Sequence, residues 1–142
     1  MRKIPILFVA IFFLAITLYI NVSMGEPAKE NNFVVAYYFH GNYRCHTCYT
    51  IEQYSKESIE ANFKDALASG KLQFKVVNVE ERGNEHYVKD YQLYTKSLIL
   101  SLVKDGKEVK SKNLTKIWEY VRNRQRFYDY VRDEIVAFLK EI

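Results

Sequence analysis

Residues 33–40, FVVAYYFH, make an unbroken β-branched and aromatic run that Gly41-Asn42 ends, and Cys45-His46-Thr47-Cys48 follows almost at once. A run of this kind without polar alternation reads as a buried central strand. From the cysteines onward the pattern changes. Cys48, Ile51, Ser55, Ile59, Phe63, Ala66 and Leu67 recur at three- and four-residue steps, which places them on one face of a helix. Gly70 is a suitable stop for it. A buried strand, a short loop and a helix that opens on two cysteines together restrict the chain to a small set of α/β arrangements.

The remaining segments extend this order. Residues 72–79 (LQFKVVNV) predict a second strand, and Asn84 is placed to cap a short helix carrying Tyr87, Val88 and Tyr91. Residues 97–103 (SLILSLV) predict a third strand. Asp105-Gly106 then predicts a two-residue hairpin, with residues 108–112 returning antiparallel. Asn113 is placed to cap a closing helical region. Leu114, Ile117, Trp118 and Val121 make one apolar stripe of that region, and Phe127, Val131, Ile135, Phe138 and Leu139 make another. The polar stretch 122–126 (RNRQR) between the stripes predicts a kink or two separate helices. The predicted order is β-α-β-α-β-β-α, in which strands joined through helices run parallel and the hairpin adds an antiparallel edge.

The first 25 residues stand apart. Arg2 and Lys3 precede an almost wholly apolar segment at 4–20, and small and polar residues follow to Gly25. This is the layout of a secretory signal, with Ser23 and Gly25 before a cleavage point. The apolar length also sits near the lower limit for spanning a bilayer, so an uncleaved anchor with its basic end in the cytoplasm is the competing expectation. No Cys directly follows the apolar run, which excludes a lipoprotein anchor. Residues 26–32 (EPAKENN) read as a polar tether, and 33–142 as the folded domain. Arg2 and Lys3 are the only charges in the leader, so the net charge of +4 falls by two to +2 without it. A weakly basic, well-mixed surface gives no ground for a nucleic-acid partner.

The chain has 2 Cys, and they sit three apart. Random placement in this length gives that spacing about once in seventy cases, so the pairing calls for an explanation. A helix N-terminus exposes unpaired N–H groups and a partial positive charge, and both favour an anion. A thiolate at Cys45 gains from this, from Arg44 before it and from a protonated His46 after it. Cys48 lies one turn on, along the apolar face, where it is placed to act as a resolving thiol. Two other readings stay open. One is a structural or sensing disulfide, which would close only a small loop and add little stability. The other is metal binding by His40, Cys45, His46 and Cys48, a set suited to zinc or copper(I). Tyr43 and Tyr49 flank the motif and can shape a docking surface. Arg122, Arg124 and Arg126 form a small basic cluster that reads as a solvated connector before it reads as a lipid contact.

The strand before Cys45-x-x-Cys48, the stretch 76–109 and the closing helix together resemble the thioredoxin superfamily over residues 33–140. Lys89-Asp90-Tyr91-Gln92-Leu93 looks like the end of that family's second helix, and Leu98-Ile99-Leu100 like the strand after it. The segment from Lys112 to Glu119 further resembles a small family of exported thioredoxin-like proteins labelled nitrophenyl compound nitroreductase subunits. No flavin-binding pattern accompanies it, and no cofactor is implied. The resemblance implies a three-layer α/β fold, a mixed sheet with helices on both faces. It also implies a thiol–disulfide oxidoreductase that uses Cys45 and Cys48 on a protein disulfide or dithiol, with a membrane redox protein as one possible partner. Three departures stand out. Lys96 and Ser97 occupy the place of the cis-proline that faces the dithiol in the family. A cis bond without Pro costs about 3 kcal/mol, so a trans peptide is expected there. Arg44 replaces the family's tryptophan. No buried Asp lies in the first strand; Glu80 and Glu81, at the end of the next strand, read as solvated residues before they read as substitutes.

The reading that follows is an exported domain, periplasmic or otherwise extracytoplasmic. It is held at the inner or cell membrane through residues 4–20 if the leader stays. Its rivals are a non-enzymatic accessory domain of a redox complex and a zinc or copper(I) carrier.

Overall fold

The run at 33–40 becomes strand β1 (Phe33–His40), and it is buried along most of its length because neighbours cover it on every side. The computed structural model describes residues 31–142, so the apolar leader and most of the tether lie outside the described residues. After β1 come helices α1 (His46–Asn62) and α2 (Lys64–Ala68), strand β2 (Leu72–Asn78), helix α3 (His86–Asp90), strands β3 (Ser97–Lys104) and β4 (Lys107–Asn113), and helices α4 (Ile117–Tyr120) and α5 (Arg124–Leu139). The class is α/β. One four-stranded mixed sheet has the order β2-β1-β3-β4. β1 and β2 are parallel, while β3 runs antiparallel to both β1 and β4. No helix among the described residues is long and apolar enough to cross a membrane.

Register decides what each face of β1 meets. Val34, Ala36 and Tyr38 sit opposite Leu102, Leu100 and Leu98 of β3. This face joins Ile51 and Ile59 of α1 and Phe127, Val131, Ile135 and Phe138 of α5 in one buried cluster. The other face, from Val35, Tyr37 and Phe39, meets the short helix α3. The ring of Phe39 lies 5.0 Å from that of Tyr87 and 5.4 Å from that of Tyr91. The sheet therefore carries helices on both faces, a thick layer of α1 and α5 and a thin one of α3. Two buried serines join the thick layer without leaving an unpaired hydroxyl. Ser55 donates to the Ile51 carbonyl at 2.7 Å, and Ser58 donates across to the Tyr128 carbonyl at 3.1 Å.

The hairpin forms where Asp105-Gly106 predicts it. Both residues take positive φ, 50° and 77°, as a tight turn between right-twisted strands requires. Strand β4 is exposed throughout and forms a sheet edge. Its Lys110 and Lys112 reach Glu141 and Glu134 of the α5 end, each at 2.6 Å, so the edge is charged and tied down.

Three local expectations need correction. The amphipathic stretch from Cys48 to Leu67 is not one helix but two, because Phe63 leaves helical geometry at φ −131°, ψ 34°. Asn84 does not cap α3 with its side chain, since its amide donates to the Asn78 carbonyl at 3.0 Å and Glu85 holds the cap position. Asn113 is the last residue of β4, paired with Ile99, and the α4 cap is Lys116. The polar stretch 122–126 does separate two helices. Asn123 takes extended backbone and accepts the Arg126 N–H at 3.1 Å, which starts α5. Asn123→Ala is expected to lower stability by about 1 kcal/mol, read as a lower urea midpoint at unchanged slope. An unchanged midpoint would show that α5 does not depend on this cap.

Candidate active site

Between the C-terminal end of β1 and the first turn of α1, Cys45 takes extended backbone as the N-cap of the helix. The two sulfurs cap reciprocally. Cys45 Sγ accepts the Cys48 N–H, and Cys48 Sγ accepts the Cys45 N–H, each at 3.2 Å. Cys45 and Cys48 are joined as a disulfide with Cα atoms 5.1 Å apart. Cys48 is 1% exposed, whereas Cys45 is half-buried and reachable. The helical step that puts Cys48 on the apolar stripe is what produces this inequality.

Beneath the pair lies a group that no pattern in the sequence marks as functional. Tyr38 is wholly buried, and its hydroxyl donates to the Cys48 carbonyl at 2.7 Å. That carbonyl is in the first turn of α1, so the bond ties the dithiol turn to the central strand. Burial pushes the Tyr38 hydroxyl up to about 12, an effect that nearby Arg44 partly opposes. The signal in the sequence was parity: Tyr38 shares a strand face with Val34 and Ala36, the face that α1 covers.

Arg44 is folded back along α1. Its guanidinium pairs with Glu52, lies 4.2 Å from the Tyr49 ring centroid and 5.8 Å from that of Tyr38, and leaves its side chain 14% exposed. The expected cation beside Cys45 is thus a cation balanced by Glu52. It straps the loop before the dithiol to the second turn of the helix. His46 is exposed at the helix start. Glu80 is exposed, as expected of a solvated residue, and accepts the Asn42 N–H at 3.0 Å.

The loop before β3 faces this end of the molecule. All peptide bonds among the described residues are trans, including those at Lys96 and Ser97. Ser97 is buried and donates to the Thr95 carbonyl at 2.9 Å. The Lys96 carbonyl accepts the indole N–H of Trp118 at 3.0 Å, and Lys96 Nζ lies 5.8 Å from the Tyr43 ring centroid. Trp118, the only tryptophan in the chain, thereby joins α4 to this loop, a contact that sequence spacing does not reveal.

The alternative metal set is not assembled. Among the described residues no three His, Cys, Asp or Glu side chains are grouped to hold an ion. Cys48 sinks toward the core while His46 stays outside, and a His40 ring nitrogen sits 2.9 Å from the Gly41 carbonyl. The basic cluster also disperses. Arg124 pairs with Glu57 at 2.8 Å, Arg126 lies over the Tyr120 ring, and Arg122 lines a groove with His46 and Thr47.

Tyr38→Phe is expected to cost about 1 kcal/mol near neutral pH, because it removes a buried hydrogen bond from the strand to the dithiol turn. The same variant should flatten alkaline unfolding. A tyrosine whose folded pKa lies above its unfolded value near 10 gives stability that is complete below pH 10 and is lost as pH rises toward about 12. Urea titrations from pH 7 to 12 measure both effects, and an alkaline limb of unchanged slope would contradict the assignment to Tyr38.

No family model matches the chain, and no curated protein does. Solved structures with some likeness include oxidized thioredoxin O2 from Arabidopsis thaliana, at 14% identity over 68% of this chain and 76% of that one, TM-score 0.40. Oxidized mitochondrial thioredoxin 3 from Saccharomyces cerevisiae matches at 15% identity over 72% and 80%, TM-score 0.42. Fasciola hepatica thioredoxin matches at 24% identity over 65% and 81%, TM-score 0.37. The chain's own geometry is a mixed four-stranded sheet with a disulfide that opens a helix after its central strand.

Proposed function

We propose that this protein is a thiol–disulfide oxidoreductase acting on a partner protein, with Cys45 as nucleophile and Cys48 as resolving thiol. The observation that carries the proposal is the unequal burial of two bonded sulfurs at one helix N-terminus. With the pair reduced, the Cys45 thiolate attacks one sulfur of a partner disulfide. That S–S bond breaks, its other sulfur leaves as a thiolate, and Cys45 is held in a mixed disulfide. Cys48 loses its proton, ultimately to the released partner thiolate, and attacks Cys45 Sγ. The mixed disulfide breaks, the second partner sulfur leaves, and the Cys45–Cys48 bond forms. Two electrons pass to the partner, whose thiolates take up protons. Oxidation of a partner dithiol is the same sequence reversed.

The helix end supports the first step. The Cys48 N–H that reaches Cys45 Sγ remains available to a thiolate there, and the positive end of the 17-residue α1 favours the anion. Tyr38 and the Arg44–Glu52 strap hold the turn while its sulfurs change partners. Residues 1–25, read as a signal or anchor, support a place outside the cytoplasm, where a disulfide persists. No comparison supports a nitroreductase-subunit reading of residues 112–119.

A second reading has two observations in its favour. The reciprocal sulfur capping and the burial of Cys48 would equally suit a permanent disulfide in an accessory domain. The reduction potential of the full chain separates the two. A reversible value between about −120 and −270 mV is expected for exchange, and a value below about −300 mV would mean a structural bond. Cys45→Ser is expected to abolish exchange with a model disulfide, and Cys48→Ser to accumulate the mixed disulfide. Full exchange by Cys45→Ser would end the proposal.

A further inference from the structure

The surface around the disulfide carries more than the two sulfurs need. The large aromatic side chains that stand exposed among the described residues are Tyr43, Tyr49, Tyr94 and Trp118, at 78%, 54%, 94% and 36%. All four belong to segments bordering the dithiol. Tyr43 and Tyr49 flank the motif itself. Tyr94 is on the loop whose Lys96 reaches the Tyr43 ring, and Trp118 bonds that loop's backbone. Beside His46 and Thr47 runs a groove of about 440 Å³, walled on its far side by Trp118, Val121 and Arg122. Exposed aromatics at the rim of a groove mark a contact surface.

Two basic side chains at this surface stand without an acidic partner. Lys96 and Arg122 form no ion pair among the described residues, and an exposed His46 lines the groove with Arg122. No acid among the described residues lines the groove itself. Glu52 is paired with Arg44, while Glu80 accepts the Asn42 N–H and lies with Lys96 along a neighbouring pocket. The Trp118 indole also occupies one lone pair of the Lys96 carbonyl, which reduces what the loop's backbone can offer a partner strand. Side chains are left to discriminate. Two cations set apart among aromatic rings suit carboxylates on a polypeptide, whereas an anionic membrane asks for a cluster of about four to eight Lys or Arg.

Resting on the oxidoreductase reading, we infer that this surface selects partner polypeptides that carry Asp or Glu beside the reacting disulfide, with Lys96 and Arg122 as the residues that read them. Complementary charge of this kind acts mainly on the rate of productive encounter, and it weakens as salt shortens the reach of each charge.

The test uses the reduced full-length chain and three peptides, each a mixed disulfide with the same small leaving thiol and with its Cys flanked by Asp, Asn or Lys. Each rate is divided by that peptide's rate with dithiothreitol, which removes intrinsic differences in reactivity. At low salt the Asp peptide is expected to react about tenfold faster than the Lys peptide, with Asn between them and the spread narrowing in high salt. Lys96→Gln combined with Arg122→Gln is expected to collapse the ratio. Equal rates, or a preference for Lys, would overturn the inference and leave the oxidoreductase reading standing. A ratio that survives in the double variant would overturn the assignment to these two residues. No reaction with any peptide, from a chain verified as reduced, would remove the oxidoreductase reading and this inference with it.

Discussion

Burial of β1 on both faces organises the rest of the molecule. A strand with apolar side chains on each side needs two covering layers, and β2 and β3 must flank it to pair its backbone. The thick layer of α1 and α5 supplies most of the core, while α3 supplies a thin aromatic lid on the other side. The chain leaves β1 at His40 and must return over the thick face within a few residues. That short return delivers the N-terminus of α1, and Cys45 with it, to the end of the sheet. The reactive geometry follows from how the core is covered.

Two polar interactions then fix the turn in detail. Tyr38 reaches from the strand to the Cys48 carbonyl, and the Arg44–Glu52 pair closes the loop from the other side. Both are largely hidden from water, where a lost partner is costly and geometry is held tightly. The turn must keep its shape through a change of covalent partner at both sulfurs. A hydrogen bond to the backbone of the resolving cysteine and an ion pair spanning from before the first cysteine to the next helical turn restrain it without touching either sulfur.

Much of this was legible from residue pattern. The continuous run at 33–40, the stripe through Cys48, Ile51, Ser55 and Ile59, and Asp105-Gly106 each describe local geometry that a chain adopts for its own steric reasons, and each appears where it was expected. The misreadings have a common cause. Asn84 and Asn113 are good caps in isolation, but one side chain is drawn to the Asn78 carbonyl and the other residue is held in a ladder with Ile99. Phe63 continues the stripe on paper yet leaves the helix, its side chain packing against the core. In each case a tertiary contact outweighed a local preference worth about 1 kcal/mol or less.

The sequence alone determined the elements, their order and the placement of two cysteines at the start of a helix, because those depend on periodicity, turn residues and neighbours in the chain. Tertiary structure alone decided who meets the dithiol. Tyr38 lies ten residues from Cys48, Trp118 lies 22 from Lys96, and Arg44 found Glu52 before it could face Cys45 as a lone charge. Strand parity narrows such choices, but the partners are set by how helices and loops pack over the sheet. Packing of that kind depends on shape and distance in three dimensions, which the one-dimensional pattern does not carry.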